Sequence, residues 1–454
     1  MAASTAVRGN AEPGRTLHDE QPRTLSVFDQ FALWANLGVS LLGPAYAYYV
    51  LVPGAQQISL VAAFVAVVIG SVIGTIPLAL AAVAGARSGA PAMVLLRGLF
   101  GRRLSYLPTV LNILQCIGWG VFEIVVIAEA TDELLPWHVH WLYVVIAGAL
   151  TTLLALRPLG WVRTLRRYAL IAVSASTLYF LVEFLRHPLP SLTHGTWSGF
   201  WTAVDGVLAV SISFVPLAAD YTRHSRSEGG AFSGCVVGYS ITQIIYYVLG
   251  LLAFSTVVHG YTGDNAPVFR AFIAVPLGWL PFAILVVREL DESFANVYST
   301  AISVQNLRPL ADRRVLAVVI GALATLGALV LGLGDYQNFL YLLGSVFVPL
   351  SAVFVIDYFV LRRAGDWDVS DDAPARWVMV VPWVLGFVVY QMINPGSISW
   401  WSDFWYRFNG WVHFTPPGWM NASFTSFLVA ALGTLLLGVL HVRKELGADH
   451  RRGR

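Results

Sequence analysis

Twelve apolar segments, each long enough to cross a lipid bilayer, run through most of this sequence. A membrane-spanning helix needs about 20 predominantly apolar residues, because it rises about 1.5 Å per residue through hydrocarbon about 30 Å thick. Only 12% of the 454 residues are charged, against about 25% in soluble domains, which is too few to cover a water-facing surface. The sequence therefore predicts an all-α integral membrane protein with twelve transmembrane helices. The segments lie near residues 28–50, 57–85, 108–131, 140–156, 168–185, 200–221, 231–258, 276–304, 315–333, 337–361, 377–394 and 422–442.

The basic residues predict which side of the membrane each connection faces. If the N-terminus is cytoplasmic, 24 of the 28 Lys and Arg residues fall in tails and connections on that side. Basic residues concentrate on the cytoplasmic side of membrane proteins. We therefore expect a plasma (inner) membrane protein with a disordered cytoplasmic tail at residues 1–26 and a second cytoplasmic tail at residues 443–454. A net charge of +2 gives no basic excess for nucleic acid.

An aromatic segment at residues 396–420 lies on the predicted outer side. It is dense in tryptophan and tyrosine, which are enriched where a membrane meets water. We expect an outer loop whose rings form an aromatic belt, in preference to a binding role.

The first and sixth segments contain residues that interrupt helices. The first has Gly38 and then Gly43 followed by Pro44, and the sixth has Pro216 after a serine-rich stretch. Proline removes a helix hydrogen bond, and free backbone groups at membrane depth are tolerated where they line a cavity within the protein. Each interruption alone fits an ordinary proline kink. The matched spacing, five segments apart, instead indicates a transporter built from inverted repeats, with substrate and ion at the breaks.

Polar residues form a stripe along the third segment. Asn112, Gln115, Trp119 and Glu123 have the i, i+3, i+7, i+11 spacing that places them on one helix face. An indole beside amide and carboxylate groups suits a planar heterocycle, because the ring stacks and the polar groups pair with its edge. The alternatives are core filling for Trp119 and a structural hydrogen bond for Glu123.

The eighth segment carries charges where a membrane helix is normally apolar. Arg288, Asp291, Glu292 and Ser299 share one face, and Arg288 can pair with either carboxylate at i+3 or i+4. One interpretation is a self-neutralising group that holds the helix in place. The other is that the surplus negative charge binds a cation or carries a proton.

The chain resembles the nucleobase–cation symporter family, which includes purine and cytosine permeases and hydantoin transporters. Four segments carry the resemblance: GARSGAPAMVLLRGLFG at 85–101, QCIGWGVFE at 115–123, ADYTRHSR at 219–226 and VPLSAVFVIDYFVLRR at 348–363. The resemblance implies a LeuT-like fold with two inverted five-helix repeats, at residues 27–186 and 200–362. It also implies broken helices one and six, and two additional helices within residues 377–442.

The resemblance also implies roles for individual residues. Trp119 matches the tryptophan that stacks on the substrate ring, and Glu123 falls where some members have a substrate-binding glutamine. Ser213 lies where cytosine permeases have a serine that contacts the base. A sodium site in this family uses backbone carbonyls of broken helix one, which here would belong to Gly38 and Leu42, and two adjacent hydroxyl residues of helix eight.

Two alignments of helix eight remain open. In one, the hydroxyl pair becomes Asp291 and Glu292 and a base-contacting asparagine becomes Arg288, which favours proton coupling. The other alignment keeps the spacing of an asparagine followed by a hydroxyl pair, which retains sodium, and it uses Asn296, Ser299 and Thr300.

The sequence thus predicts a secondary active transporter, not an enzyme, that imports a nucleobase of the cytosine or purine type, or a related planar heterocycle, by H+ or Na+ symport. Trp119 would stack on the ring, and Glu123, Gln115 and Ser213 would read its edge. The expected partners are the small heterocycle and the lipid bilayer, with no cofactor beyond the coupling ion. A same-architecture transporter for a cationic amine, an amino acid or a thiamine-type pyrimidine is one alternative, and a non-transporting membrane sensor is another.

Overall fold

The computed structural model of this chain describes residues 22–53, 57–156, 159–258, 267–308, 310–361 and 367–452. Within these ranges the chain is helical, with two isolated β-bridges, between Leu25 and Ser225 and between Ile58 and Thr196. The prediction of an all-α protein is confirmed. The α-helices are α1 Val27–Leu37, α2 Leu42–Leu51, α3 Leu60–Ser88, α4 Ala92–Phe100, α5 Tyr106–Leu134, α6 His140–Ala155, α7 Leu159–Arg186, α8 Phe200–Ser213, α9 Ala218–Thr222, α10 Glu228–Ala253, α11 Pro267–Ala274, α12 Trp279–Leu307, α13 Arg313–Ala328, α14 Tyr336–Val355, α15 Val380–Ile393, α16 Ser399–Trp411 and α17 Ala422–Arg452.

Each of the twelve predicted segments coincides with one helix or with consecutive helices. Of the described helices, five are long and apolar enough to cross a membrane by length and composition, and three shorter ones are apolar: Leu60–Ser88, Tyr106–Leu134, Phe200–Thr222, Glu228–Val258 and Leu333–Leu361, then His140–Ala155, Trp377–Ile393 and Ala422–Gly438. The first, fifth, eighth and ninth segments coincide with α1–α2, α7, α12 and α13. The count of twelve spans stays a prediction.

Helix α16 lies where the sequence predicts an outer loop. Its buried residues are Ser402, Trp405 and Asn409, at the i, i+3, i+7 spacing of one helix face. Trp400 and Trp411 on the other side are more than 70% exposed. The dense aromatic composition concealed this amphipathic pattern, because apolar rings occupy both faces. An exposed tryptophan face suits the boundary between lipid and water.

The two predicted tails are described only in part. Residues 1–21 lie outside the described residues. Residues 22–26 run beside the connection after α9, where the Leu25 N–H donates to the His224 carbonyl at 2.9 Å and the Arg226 N–H donates to the Leu25 carbonyl at 2.9 Å. At the other end, α17 continues to Arg452, through residues that are mostly good helix formers.

Glycines bring α1 and α10 into close contact. A Cβ atom at Gly238 would lie 2.6 Å from the Phe31 carbonyl oxygen and 2.9 Å from the Ala35 nitrogen. Gly234, four residues earlier, similarly faces the α1 backbone at Phe31. Such small-xxx-small spacing allows membrane helices to approach at backbone distance. The contact places α1, and therefore its C-terminal end, against α10.

We expect Gly238→Ala to destabilise the protein by about 1–3 kcal/mol, because the added methyl meets backbone atoms that cannot rotate away. Gly229→Ala is the matched control, since it lies on the same helix with open space around the added atom. Helix propensity alone would favour alanine at Gly238, in the helix interior, at least as much as at Gly229, in the first turn, so a loss at Gly238 reports packing. Thermal unfolding of the purified protein measures it. Equal midpoints for the two variants would contradict the close approach.

Candidate functional site

The first membrane segment is interrupted at residues 38–41. Helix α1 ends at Leu37, where Gly38 caps it, and α2 begins at Leu42. A Cβ atom at Gly38 would overlap the Thr242 hydroxyl and lie 3.0 Å from the Tyr239 carbonyl oxygen, so this close approach favours glycine. Pro44 lies in the first turn of α2, where the missing proline N–H is not needed. The break therefore precedes Pro44 instead of coinciding with it.

The sixth segment changes its helical form at Pro216. Helix α8 ends at Ser213, a 3-10 turn covers Val215–Leu217, and α9 follows from Ala218. The Leu217 N–H donates to the Phe214 carbonyl at 2.9 Å, which releases the Ser213 carbonyl from the α-helical pattern. Gln115 Nε2 donates to that carbonyl at 2.8 Å. The break is thus a tightened turn whose freed carbonyl binds a side chain of α5.

A small cavity lies where these two breaks meet α5, α10, α12 and α14. Its volume is about 30 Å³, roughly enough for two water molecules, and too small for a heterocycle in this conformation. Its walls combine backbone from the first break with aromatic and acidic side chains: Leu37, Gly38, Ser40, Leu42, Gly43, Trp119, Glu123, Val210, Phe214, Tyr239, Gln243, Tyr246, Tyr247, Glu292 and Tyr336.

Trp119 and Glu123 are buried residues that both line this cavity. Trp119 is 3% exposed and Glu123 is 1% exposed. Trp119 Nε1 and Glu123 Oε2 have no hydrogen-bond partner among the described residues. The Trp119 ring is tilted by 38° against Phe214 at a centroid distance of 6.0 Å, and it meets Tyr336 edge-on. Buried polar atoms normally find partners, so these two atoms mark a place for a ligand or water.

The rest of the α5 stripe binds neighbouring helices. Asn112 Nδ2 donates to the Ser303 hydroxyl on α12 at 2.8 Å. Gln115 Nε2 donates to Asn112 Oδ1 at 2.8 Å, in addition to the Ser213 carbonyl. The Ser213 hydroxyl donates back to the Val210 carbonyl at 2.7 Å. Gln115 and Ser213 therefore lie beside the cavity, where they join α5 to the end of α8.

The charges of α12 meet at the first break. Arg288 Nη1 contacts Glu292 Oε2 at 2.8 Å and Glu289 Oε2 at 3.4 Å. Arg288 Nη2 also donates to the Asn36 carbonyl in the last turn of α1. Glu289 Oε1 accepts the Leu41 N–H at the start of α2. The side chains of Arg288, Glu289 and Glu292 are each less than 5% exposed, so this is a fully buried ion-pair group.

The other candidate residues of α12 have separate partners. Asp291 Oδ2 accepts from Asn36 Nδ2 at 2.9 Å, beside the same break. Further along α12, the Ser299 hydroxyl donates to the Tyr221 hydroxyl at 3.1 Å, and Thr300 donates to the Asn296 carbonyl at 2.7 Å. Asp291 and Glu292 therefore reach the region of Gly38 and Leu42, whereas the hydroxyl pair contacts α9 and its own helix.

Several residues of the site were missed by sequence reasoning. Glu289 lies on a different face of α12 from the predicted polar face that contains Asp291. Its carboxylate accepts the Leu41 N–H, which has no partner within a helix because of the break. Gln243 donates to the Val207 carbonyl at 3.0 Å and accepts from the Ser211 hydroxyl at 2.7 Å, so it holds α10 to α8. A single glutamine in an otherwise apolar membrane segment is a sequence signal that could have identified Gln243. The cavity tyrosines of α10 and α14 were not distinguishable from lipid-facing or core rings.

Comparisons with known proteins agree with this architecture. The family model described as a permease for cytosine/purines, uracil, thiamine and allantoin matches residues 19–371. The purine-cytosine permease FCY21 of Saccharomyces cerevisiae is 24% identical over 391 residues, which cover 77% of this chain and 72% of the relative. The purine-cytosine permease fcyB of Emericella nidulans is 24% identical over 411 residues, covering 83% and 79%.

Solved structures of Mhp1, a nucleobase-cation-symport-1 family transporter, share the fold. The inward-facing conformation aligns with a TM-score of 0.73 at 17% identity, covering 95% of this chain and 96% of that one. The closed conformation with bromovinylhydantoin bound aligns with a TM-score of 0.71 at 18% identity and 95% coverage of both chains. These alignments confirm the expected LeuT-like fold, and the chain's own helices confirm that helices one and six are interrupted. This chain is a membrane transporter, not an enzyme, and belongs to the family of permeases for cytosine/purines, uracil, thiamine and allantoin.

Proposed function

We propose that this protein imports a nucleobase of the cytosine or purine type, or a related planar heterocycle, by cation symport across the plasma membrane. Residues 27–186 and 200–362 form its two inverted repeats, residues 377–442 carry the two additional helices, and both termini are cytoplasmic. The observation that carries the proposal is that Trp119 and Glu123 line one cavity beside two interrupted helices. Both side chains have a buried polar atom without a hydrogen-bond partner among the described residues.

Each side chain has a defined part in this proposal. The Trp119 face stacks on the heterocycle, since flat aromatic systems pack well against each other. Glu123 accepts hydrogen bonds from the edge of the ring, because an ionised carboxylate accepts and does not donate. It therefore favours an edge with N–H groups, such as a ring N–H beside an exocyclic amine. Gln115 on α5 and Ser213 at the end of α8 support that edge from beside the cavity.

Binding requires the cavity to enlarge. A space of about 30 Å³ is far below the roughly 300 Å³ or more typical of ligand pockets. A planar ring can enter between Trp119 and Phe214. Their rings are tilted by 38° with centroids 6.0 Å apart, so their faces are not stacked on each other. Movement of one repeat against the other opens such a site in transporters of this kind.

Uptake measurements test the proposal. The full-length chain would be expressed in a permease-null host and supplied with radiolabelled cytosine, adenine, guanine, uracil, hydantoin, allantoin and thiamine. We expect saturable uptake of at least one planar heterocycle, competed by its close analogues and abolished by collapse of the cation gradient. Saturable uptake of an amino acid, with none of the heterocycles transported, would end the nucleobase proposal.

We expect Glu123→Gln to change substrate selectivity. The amide presents a donor where the carboxylate presents an acceptor, so substrates with paired N–H donors lose a hydrogen bond to a charged group, about 1.5–3 kcal/mol or roughly 10- to 100-fold in affinity. Competition by each heterocycle against the best substrate measures the change. Glu133→Gln is the matched control, since Glu133 lies on the same helix and pairs with Arg270. Identical selectivity in both variants would remove Glu123 from the site.

A further inference from the structure

Two consecutive residues of α12 bind the two free ends of the broken first helix. The Arg288 guanidinium donates to the Asn36 carbonyl, near the C-terminal end of α1. The Glu289 carboxylate accepts the Leu41 N–H, at the N-terminal end of α2. The charges are therefore arranged with the cation at the carbonyl end and the anion at the amide end.

This arrangement follows from the electrostatics of a broken helix. The C-terminal end of a helix carries unpaired carbonyls and a partial negative charge, and the N-terminal end carries unpaired amides and a partial positive charge. At membrane depth no bulk water is present to satisfy these groups. The Val39 N–H already donates to the Asn36 carbonyl at 3.2 Å. A cation at the end of α1 adds a favourable interaction with the negative end of the helix dipole, and here it is supplied by a side chain of the protein.

The surrounding charges hold the guanidinium in this place. Glu292 contacts it at 2.8 Å and Glu289 at 3.4 Å, both from the same helix. Asp291 binds the side chain of Asn36, whose carbonyl Arg288 contacts. From α5, Glu123 lines the same cavity as Glu292. Four carboxylates therefore lie near one arginine, and their negative charges stabilise the guanidinium in this position.

The hydroxyl residues suited to a sodium ion lie elsewhere on α12. Ser299 is eleven residues beyond Arg288, which is about 16 Å along a helix. Its hydroxyl donates to Tyr221, and the Thr300 hydroxyl donates to the Asn296 carbonyl. Among the described residues, the carbonyl end of α1 is thus bound by Arg288, whereas the two hydroxyls bind Tyr221 and their own helix.

We propose that Arg288 is a tethered cation, which takes the position of a metal ion at the carbonyl end of α1, so that this transporter works without sodium bound there. The inference rests on the proposed function in that it concerns the coupling ion of the same site. It assigns Arg288 as a positioning residue that closes the break and not as a group that touches substrate.

Binding measurements that need no transported substrate test this directly. Purified full-length protein is assayed for binding of ²²Na⁺ by scintillation proximity. We expect no saturable binding to the wild type. Saturable ²²Na⁺ binding to the wild type would overturn the proposal, whether or not any heterocycle is transported. If heterocycle uptake fails while this result holds, only the proposed function is lost.

Chemical rescue gives the second test. Arg288→Ala leaves buried carboxylates and a helix carbonyl without their cation, so we expect saturable binding of [¹⁴C]guanidinium that the wild type lacks. Uptake of the best heterocycle should fall, because the buried carboxylates and the break lose the charge that holds them, and guanidinium should restore part of it. Arg270→Ala, which removes a 72% exposed arginine, is the control and should show neither effect.

Size-exclusion profiles establish that each variant is folded before it is compared. Arg288→Lys keeps the charge and should remain free of ²²Na⁺ binding, although it cannot make the same set of hydrogen bonds. A monodisperse Arg288→Ala protein that fails to bind guanidinium would refute the tethered cation. If that variant does not fold, the wild-type and Arg288→Lys sodium measurements still decide the question.

Discussion

Trp119→Ala is expected to lower the apparent affinity for the transported heterocycle by about 10- to 100-fold, since stacking of a base on an aromatic ring is worth about 1–3 kcal/mol. Trp119 is buried against Phe214, Tyr336 and Phe339, and it faces the cavity between the two helix breaks. Removing the indole takes away the stacking face and enlarges the cavity. The measurement is concentration-dependent uptake, with surface expression recorded for each variant.

Two variants make the result interpretable. Trp119→Phe keeps an aromatic face and should retain most of the affinity, which separates stacking from the indole N–H. Trp141→Ala removes a tryptophan of α6 that is 62% exposed, so it should leave uptake unchanged. If Trp119→Ala transported with wild-type affinity, the cavity between the breaks would not be the substrate site.

Glu292→Ala is expected to cost about 3–5 kcal/mol of stability, because it leaves the Arg288 charge buried without its main partner. The pair is separated by 2.8 Å, and both side chains are less than 5% exposed. Glu289 remains at 3.4 Å, but its other oxygen is bound to Leu41, so it cannot take over both contacts. Thermal unfolding of the purified protein in a fixed detergent measures the loss.

An exposed ion pair supplies the matched control. Glu228→Ala breaks the pair with Arg87 at 2.7 Å, whose partners are 37% and 45% exposed. Such surface pairs contribute about 0–1 kcal/mol, since water screens the charges. We therefore expect a much smaller shift in the midpoint for Glu228→Ala. Similar shifts for the two variants would show that the α12 group is hydrated or neutral and is not a buried ion pair.

Much of the fold could be predicted because its signals are local. Each predicted apolar segment coincides with helix, and the first and sixth segments are interrupted close to Gly38 and Pro216. Helix α16 was missed because its rings hide the face carrying Trp405. The position of the first break was predicted only to within a turn, since Pro44 marks the start of α2 and not the break itself.

The site was less accessible to sequence reasoning. The stripe that holds Trp119 and Glu123 was visible as helical spacing, because one helix contains both residues. The partners of Arg288 were not, because the spacing allowed Asp291 as readily as Glu292, and the deciding contact with Asn36 comes from a helix about 250 residues away in sequence. Glu289 was overlooked for the same reason, as its partner is a backbone N–H exposed only by the break.

The sequence by itself determined that this chain is a helical membrane transporter, that two of its helices are interrupted, and which helix faces carry polar groups. These properties depend on composition, on helical periodicity and on proline and glycine, all of which act within one segment. Only the tertiary structure decided which charges meet at the first break and which helices enclose the cavity. The physical reason is that a backbone group freed by a helix break binds a side chain that lies close to it in the folded protein. The spacing of residues along one helix does not specify which side chain that is.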